Sequence, residues 1–224
     1  MMRRVTIVRR TLAQYAYDEL RTLIIAGELR PGDQVVVRPL CERLSLSPTP
    51  IKSALAALGR DGFLVADAYR GFFVPELSLR DIQEIYEIRE ALDAAASRKV
   101  ARREDSAVFV ASVLEPLLEA QRADWNRNDV AAYRDADVEF HRAIWRASGN
   151  ERLARVTDNL GGQVRLGWAA QLSDRVPQAL EEHRAIMEAL SAGDTRAAEA
   201  ASRAHVRRSV RAYEIAFKNR RTAK

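Results

Sequence analysis

The sequence predicts a mainly α-helical protein built as an N-terminal winged helix-turn-helix with a small β-wing, followed by an all-α helical bundle. Three observations carry that prediction. Strand-like segments occur only before residue 76, two helical segments there are separated by the short break Ser45-Leu46-Ser47, and from residue 79 onward only helical periodicity and polar breaks remain. A chain of 224 residues has room for one large domain or two small ones. With 47% hydrophobic and 30% charged residues it has the composition of a soluble globular protein. No apolar run approaches the roughly 18 residues of a membrane span, and the basic start Met1-Met2-Arg3-Arg4 leads into no signal-peptide core. A cytoplasmic protein without membrane contact is therefore expected. The single cysteine, Cys41, fits a reducing compartment and reads as a small core residue.

The first domain is expected over residues 8–75. Leu12, Tyr15, Ala16, Leu20, Leu23 and Ile24 recur at helical spacing until Gly27 and Pro31-Gly32 stop the helix. Val35-Val36-Val37 reads as one short strand. A second helix over residues 38–44 turns Leu40, Cys41 and Leu44 inward. Ser47 is placed to cap a third helix, with Pro48 at its first position and Pro50 still inside its first turn. Ile51, Leu55 and Leu58 form the buried stripe of that helix, so Ser47, Thr49, Lys52 and Ser53 face outward near its start, where base edges are read in a major groove. Residues 62–67 and 71–75 read as two strands of a hairpin with Arg70-Gly71 near its tip, a wing whose arginine can enter a minor groove. The charge is consistent with a polyanionic partner: the chain carries +5 overall, and residues 1–78 hold 11 Lys and Arg against 8 Asp and Glu.

Residues 14–75 resemble the winged-helix domain of the GntR family of bacterial regulators. The resemblance lies in residues 27–32 (Gly-Glu-Leu-Arg-Pro-Gly), Leu40-Cys41-Glu42-Arg43-Leu44, Ser47-Pro48-Thr49-Pro50-Ile51-Lys52, Asp61-Gly62-Phe63 and Arg70-Gly71-Phe72-Phe73-Val74. It implies double-stranded DNA as partner and adds Arg38, at the start of the second helix, to the contact residues. The chain departs from the family at Lys52-Ser53, where many members have arginine then glutamate. Lysine cannot match the two-bond grip of arginine on a guanine edge, so the operator preference should differ.

After a linker at residues 76–78, Ser78-Leu79-Arg80-Asp81 resembles a capping box that opens the bundle, expected over residues 79–218. Helices are expected at 79–102, 107–126, 130–148, 150–172, 175–191 and 195–218, with a kink at Gly161-Gly162. Polar residues on the apolar stripes are the informative ones. Arg89 sits among Ile82, Ile85, Leu92 and Ala96, and a buried cation needs a partner, either a ligand carboxylate or an internal acid such as Asp93 or Glu90. Asp137 and His141, four residues apart on the stripe of Tyr133, Phe140 and Ile144, aim a carboxylate and an imidazole at one point, as two ligands of a metal require. His183 and His205, the other two of the chain's three histidines, also fall on inward faces. A hydrolase built on such a metal is the competing reading, against which stands the lack of an H-E-x-x-H motif.

From about Asp81 to Phe217 the chain resembles the FCD-type effector domain of the FadR-like branch of that family. Asp137-Val138-Glu139-Phe140-His141 matches its Asp-x-x-Phe-His motif, the segment from Glu182-His183 to Leu190 its next histidine segment, and His205 follows at the family's spacing. The resemblance implies that Asp137, His141, His183 and His205 hold one divalent metal per subunit, zinc or nickel. It implies a small carboxylate effector bound by the metal and Arg89, with Asn150, Arg165 and Trp168 on the pocket wall. A homodimer acting as a repressor on a near-palindromic operator follows from the same resemblance, as does the alternative that the metal only braces the bundle.

Overall fold

The computed structural model describes residues 10–167 and 174–222. The chain divides between Leu77 and Ser78 into two compact units. Among the described residues no helix is long and apolar enough to cross a membrane.

The first unit runs α1 (Leu12–Ile25), β1 (Gln34–Val35), α2 (Val37–Leu44), α3 (Pro48–Arg60), β2 (Val65–Asp67) and β3 (Gly71–Phe73). Thr11 caps α1 by accepting a hydrogen bond from the Gln14 backbone N–H at 3.1 Å. The strands form an antiparallel sheet in the order β1-β3-β2, with Val35 opposite Phe72 and Asp67 opposite Gly71. Leu20, Ile24, Ile51, Leu55, Leu58 and Phe63 fill the core between the helices and the sheet.

Three expectations shift here. The strand expected over 35–37 ends at Val35, and Val37 opens α2, because Pro39 fits the first helical turn, where no backbone N–H partner is lost. The hairpin strands are shorter than expected, since Phe63 and Leu64 are spent on a buried turn rather than on pairing. Cys41 and Leu44 are half-buried, because the eight-residue α2 sends only Leu40 fully into the core.

The second unit is all-helical: α4 (Leu79–Ala101), α5 (Ser106–Phe109), a π turn (Val110–Leu114), α6 (Glu115–Asn126), α7 (Val130–Ala147), α8 (Glu151–Leu166), α9 (Val176–Ser191) and α10 (Thr195–Thr222). Ser78 and Asp81 form the expected capping box at the start of α4. The single helix expected over 107–126 is helical throughout, but a π turn divides it. Pro116 supplies the reason: it has no N–H to donate, and its ring crowds the carbonyl one turn back, which a wider turn relieves. Leu114, Leu118, Tyr133, Phe140, Trp145 and Leu190 lie in the core of the unit.

α8 continues through Gly161-Gly162 as α-helix. A Cβ at Gly161 would stand 3.1 Å from the Trp145 ring, so this glycine allows α7 and α8 to approach closely. The helix expected over 150–172 is described only to Leu166, and Trp168 lies outside the described residues.

Candidate metal centre and nucleic-acid interface

Three helices of the second unit each deliver one histidine to the same place. On α7 the buried stripe Tyr133, Phe140, Ile144 carries His141; α9 and α10 carry His183 and His205. One ring nitrogen from each of the three lies within 4.8 Å of the others, and all three side chains are buried. Two of the rings are held from behind. Gln121 Oε1 lies 2.8 Å from His183 Nδ1, and Glu182 Oε2 lies 2.8 Å from His205 Nδ1. An Nδ1–H donated outward leaves the lone pair of Nε2 facing inward, the arrangement found behind metal-binding histidines. Phe140 stacks on the His183 ring with centroids 4.4 Å apart, which fixes its plane.

The electrostatics favour neutral rings. Burial pushes the pKa of all three histidines well below the usual value, and neighbouring histidines or arginines push in the same direction. Neutral imidazoles are what a metal ligates. His183 Nε2 is buried with no hydrogen-bond partner among the described residues, a costly state that a cation would relieve. The donor set therefore fits a divalent transition metal. Asp137 is outside the set of three, yet its Oδ1 stands 3.6 Å from His183 Nε2 and 4.0 Å from His141 Nε2. Burial raises its carboxyl to about 6, and the charges of Arg89 and Arg175 oppose that rise.

Beside the histidines lies a cavity of about 80 Å³. Asp137, His141 and His205 line it together with Arg89, Arg134, Arg165 and Arg175. Arg89 does have an internal partner: its Nη2 donates to Asp93 at 3.0 Å, and Asp93 also accepts from Trp145 Nε1 at 2.7 Å. The guanidinium still has a surface on the cavity and lies over the Tyr86 and Trp145 rings. Its contact with an internal acid thus coexists with a place at the cavity wall.

Sequence reasoning missed Arg134, Arg175, Tyr86, Tyr133 and Tyr213 on that wall. Helical spacing could have found three of them: Tyr133 and Arg134 precede Asp137 by four and three residues, and Tyr86 precedes Arg89 by three. Asn150 is not among the lining residues. Its side chain caps α8 by accepting from the Leu153 N–H at 3.2 Å, the ordinary duty of an asparagine ahead of a helix.

In the first unit, Thr49, Lys52 and Ser53 are exposed on α3, opposite the buried Ile51, Leu55 and Leu58. Ser47 occupies the N-cap position, but among the described residues its side chain makes no capping hydrogen bond. Pro50 stands at the third helical position and so removes one of the two N–H groups that such a serine can bind. Arg38 is 91% exposed and pairs with Glu42 at 3.5 Å. Arg70 folds back onto Asp67, both of its bonds near 3.0 Å, and its guanidinium lies 5.1 Å from the Phe73 ring centroid. Gly71 follows with φ +89°, a conformation that glycine adopts without strain.

Residues 12–74 match the profile of the bacterial regulatory proteins of the gntR family, and residues 84–208 match that of the FCD domain. The chain belongs to the gntR family. As an FCD-bearing gntR regulator of the FadR-like branch, it is a DNA-binding transcriptional regulator and not an enzyme, which removes the hydrolase reading. A "Probable D-xylose utilization operon transcriptional repressor" of Paenarthrobacter nicotinovorans is 31% identical over 201 residues, 89% of this chain and 88% of that one. The transcriptional regulator LutR of Bacillus subtilis is 26% identical over 208 residues, covering 82% of this chain and 93% of its own. Among solved structures, Escherichia coli McbR/YncC aligns with a TM-score of 0.80 over 93% of this chain and 100% of its own. At 21% identity that likeness is one of fold.

Proposed function

We propose that this gntR regulator is a sequence-specific repressor whose operator binding is controlled by a small organic acid at a metal-containing cavity in the FCD domain. One observation carries the reading: three buried, neutral histidines converge on a point that opens onto an arginine-lined cavity. A metal that served only as a brace would need the histidines but not the cavity beside them. His141, His183 and His205 would hold one zinc or nickel ion per subunit, with Asp137 as fourth ligand. The ion would supply a fixed positive charge with a coordination position open to a carboxylate. Arg89, oriented by Asp93 and Trp145, binds the same carboxylate from α4.

At the other end of the chain, a homodimer presents two copies of α3 to successive major grooves of a near-palindromic operator. Ser47, Thr49, Lys52, Ser53 and Arg38 contact bases and phosphates, and Arg70 with Gly71 approaches from the wing. The acid acts on operator affinity only by binding the two states of the dimer unequally. Capture of sheared genomic DNA by the purified chain, beside a Lys52→Ala/Arg70→Ala double variant, tests the DNA half at near-physiological salt. Enrichment of one short palindrome by the wild type alone is expected. Equal capture of all sequences by both proteins would reduce the interaction to counterion release and end the proposal of sequence specificity.

A further inference from the structure

We propose that one water molecule binds between His141 and the Asp93 carboxylate and orients the third ring of the histidine centre. This rests on the metal reading above and adds the group that stands behind His141. The other two rings are each backed by a side chain, Gln121 for His183 and Glu182 for His205, at 2.8 Å from Nδ1. His141 is buried as they are, yet among the described residues neither of its nitrogens makes a hydrogen bond. Its Nε2 is the nitrogen on the metal side, 4.0 Å from Asp137 Oδ1, which leaves Nδ1 to find a partner elsewhere. A metal-bound imidazole ordinarily donates that second N–H to a carboxylate, a carbonyl or a water.

His141 lines a second, smaller cavity as well as the arginine-lined one. Its volume is about 10 Å³, the size of one water molecule. Asp93, Ser97, Ser202 and His205 supply the rest of its polar lining, and every residue around it is buried. Cavities of this size stay dry when apolar and take up water when polar groups converge on them.

The hydrogen bonds of the lining leave room for one more molecule. Ser202 donates to Ser97 at 2.6 Å, and among the described residues the Ser97 hydroxyl hydrogen has no acceptor. Asp93 accepts one bond on each oxygen, from Trp145 at 2.7 Å and from Arg89 at 3.0 Å, so each oxygen keeps a lone pair. A water placed here accepts from the Ser97 hydroxyl and from His141 Nδ1–H, and donates to Asp93 and to Ser202 Oγ. All four of its bonds are then made. Because Asp93 also orients Arg89, the water ties the acid-binding guanidinium to a metal ligand through a single carboxylate.

Crystals of the zinc-reconstituted wild type and of Ser97→Ala and Ser97→Val variants test this, with the zinc affinity of each measured by chelator competition. Ser97→Ala leaves space for the water, whereas Ser97→Val fills the space with methyl groups. The wild type should show one ordered water between His141 Nδ1 and Asp93. Ser97→Ala should keep that water and lose less than about threefold in zinc affinity. Ser97→Val should lose the water and about tenfold in affinity, the lower end of what removing a group behind a metal-bound histidine costs. The wild-type density judges the water without reliance on either variant. A dry cavity in the zinc-loaded wild type, or Ser97→Val holding zinc as tightly as the wild type, would overturn this inference and leave the histidine centre standing. A wild type that binds neither zinc nor nickel would overturn the metal reading, and the role of the water with it.

Discussion

Cations on α2, α3 and the wing and cations around the cavity live in opposite environments. Lys52 is exposed, and the side chains of Arg38 and Arg70 are 91% and 71% exposed, with acid partners that water also reaches. Around the cavity the side chains of Arg89, Arg175 and Arg165 are only 8%, 14% and 18% exposed. Surface ion pairs contribute little to stability, so a phosphate can draw Arg70 from Asp67 at small cost. A buried guanidinium cannot be left without an anion in the same way. The first arrangement suits a long polyanion bound through many weak, salt-sensitive contacts. The second suits one small anion that displaces water from a fixed shell. On the proposed reading the same residue type would serve two partners, and burial would decide which.

The sharpest way to break this comparison is to remove a metal ligand. His183→Ala should lower metal affinity by more than the roughly 10–100-fold expected for Glu182→Gln or Gln121→Ala, which only release the back of a ring. Competition with a chromogenic chelator measures this, and equal losses in all three variants would make the histidines structural. Next in size, Arg89→Ala leaves Asp93 buried and unpaired and should cost about 3–5 kcal/mol in denaturant unfolding. Arg70→Ala should leave the unfolding midpoint where it is and weaken DNA binding instead. A similar loss of stability from both would erase the contrast between surface and cavity.

Acid sharpens the comparison from another side. The three histidines have folded-state pKa values well below the unfolded value, so below about pH 6.5 the unfolded chain binds protons that the folded chain refuses. Stability of the metal-free protein should therefore fall as pH drops from 7 toward 5, each histidine contributing up to about 1.4 kcal/mol per pH unit. Asp137, raised to about 6, and Asp93, also raised by burial, take protons in the folded state and offset part of this loss. Thermal unfolding across that range reads the net sign, and stability that rises toward pH 5 would contradict the burial of three neutral rings. The smallest effect expected is at the caps. Asn150→Ala should cost about 1 kcal/mol, because a hydrogen bond to the α8 backbone is lost. Ser47→Ala should cost less, because its side chain makes no capping hydrogen bond to lose, and its effect should appear in DNA affinity.

Most of the fold and the centre of the site could be read from residue order, because both rest on local spacing. His141 declared itself by standing four residues from Asp137 on an apolar stripe, and His183 and His205 by their own inward faces. What holds those rings could not be read this way. Gln121 meets the His183 ring across 62 residues, and Glu182 meets the His205 ring across 23. No helical period links such positions. Arg134 was legible on the face of Asp137 and was passed over. The place of Asn150 before α8 marks it as a cap, and its side chain serves there. On α3 the two prolines were recognised as tolerable, but the consequence of Pro50 for Ser47 needs the register of the first turn, which fixes which N–H is missing.

The measurement that bears most directly on the central claim is operator affinity, by fluorescence anisotropy on the captured palindrome, with and without saturating L-malate. Metal-loaded wild-type protein and His141→Ala are compared under identical salt. The wild type should lose at least tenfold in affinity when malate is added, and His141→Ala should bind the operator with no response to the acid. If His141→Ala retained its metal and responded to malate as the wild type does, control of DNA binding from the histidine cavity would be contradicted.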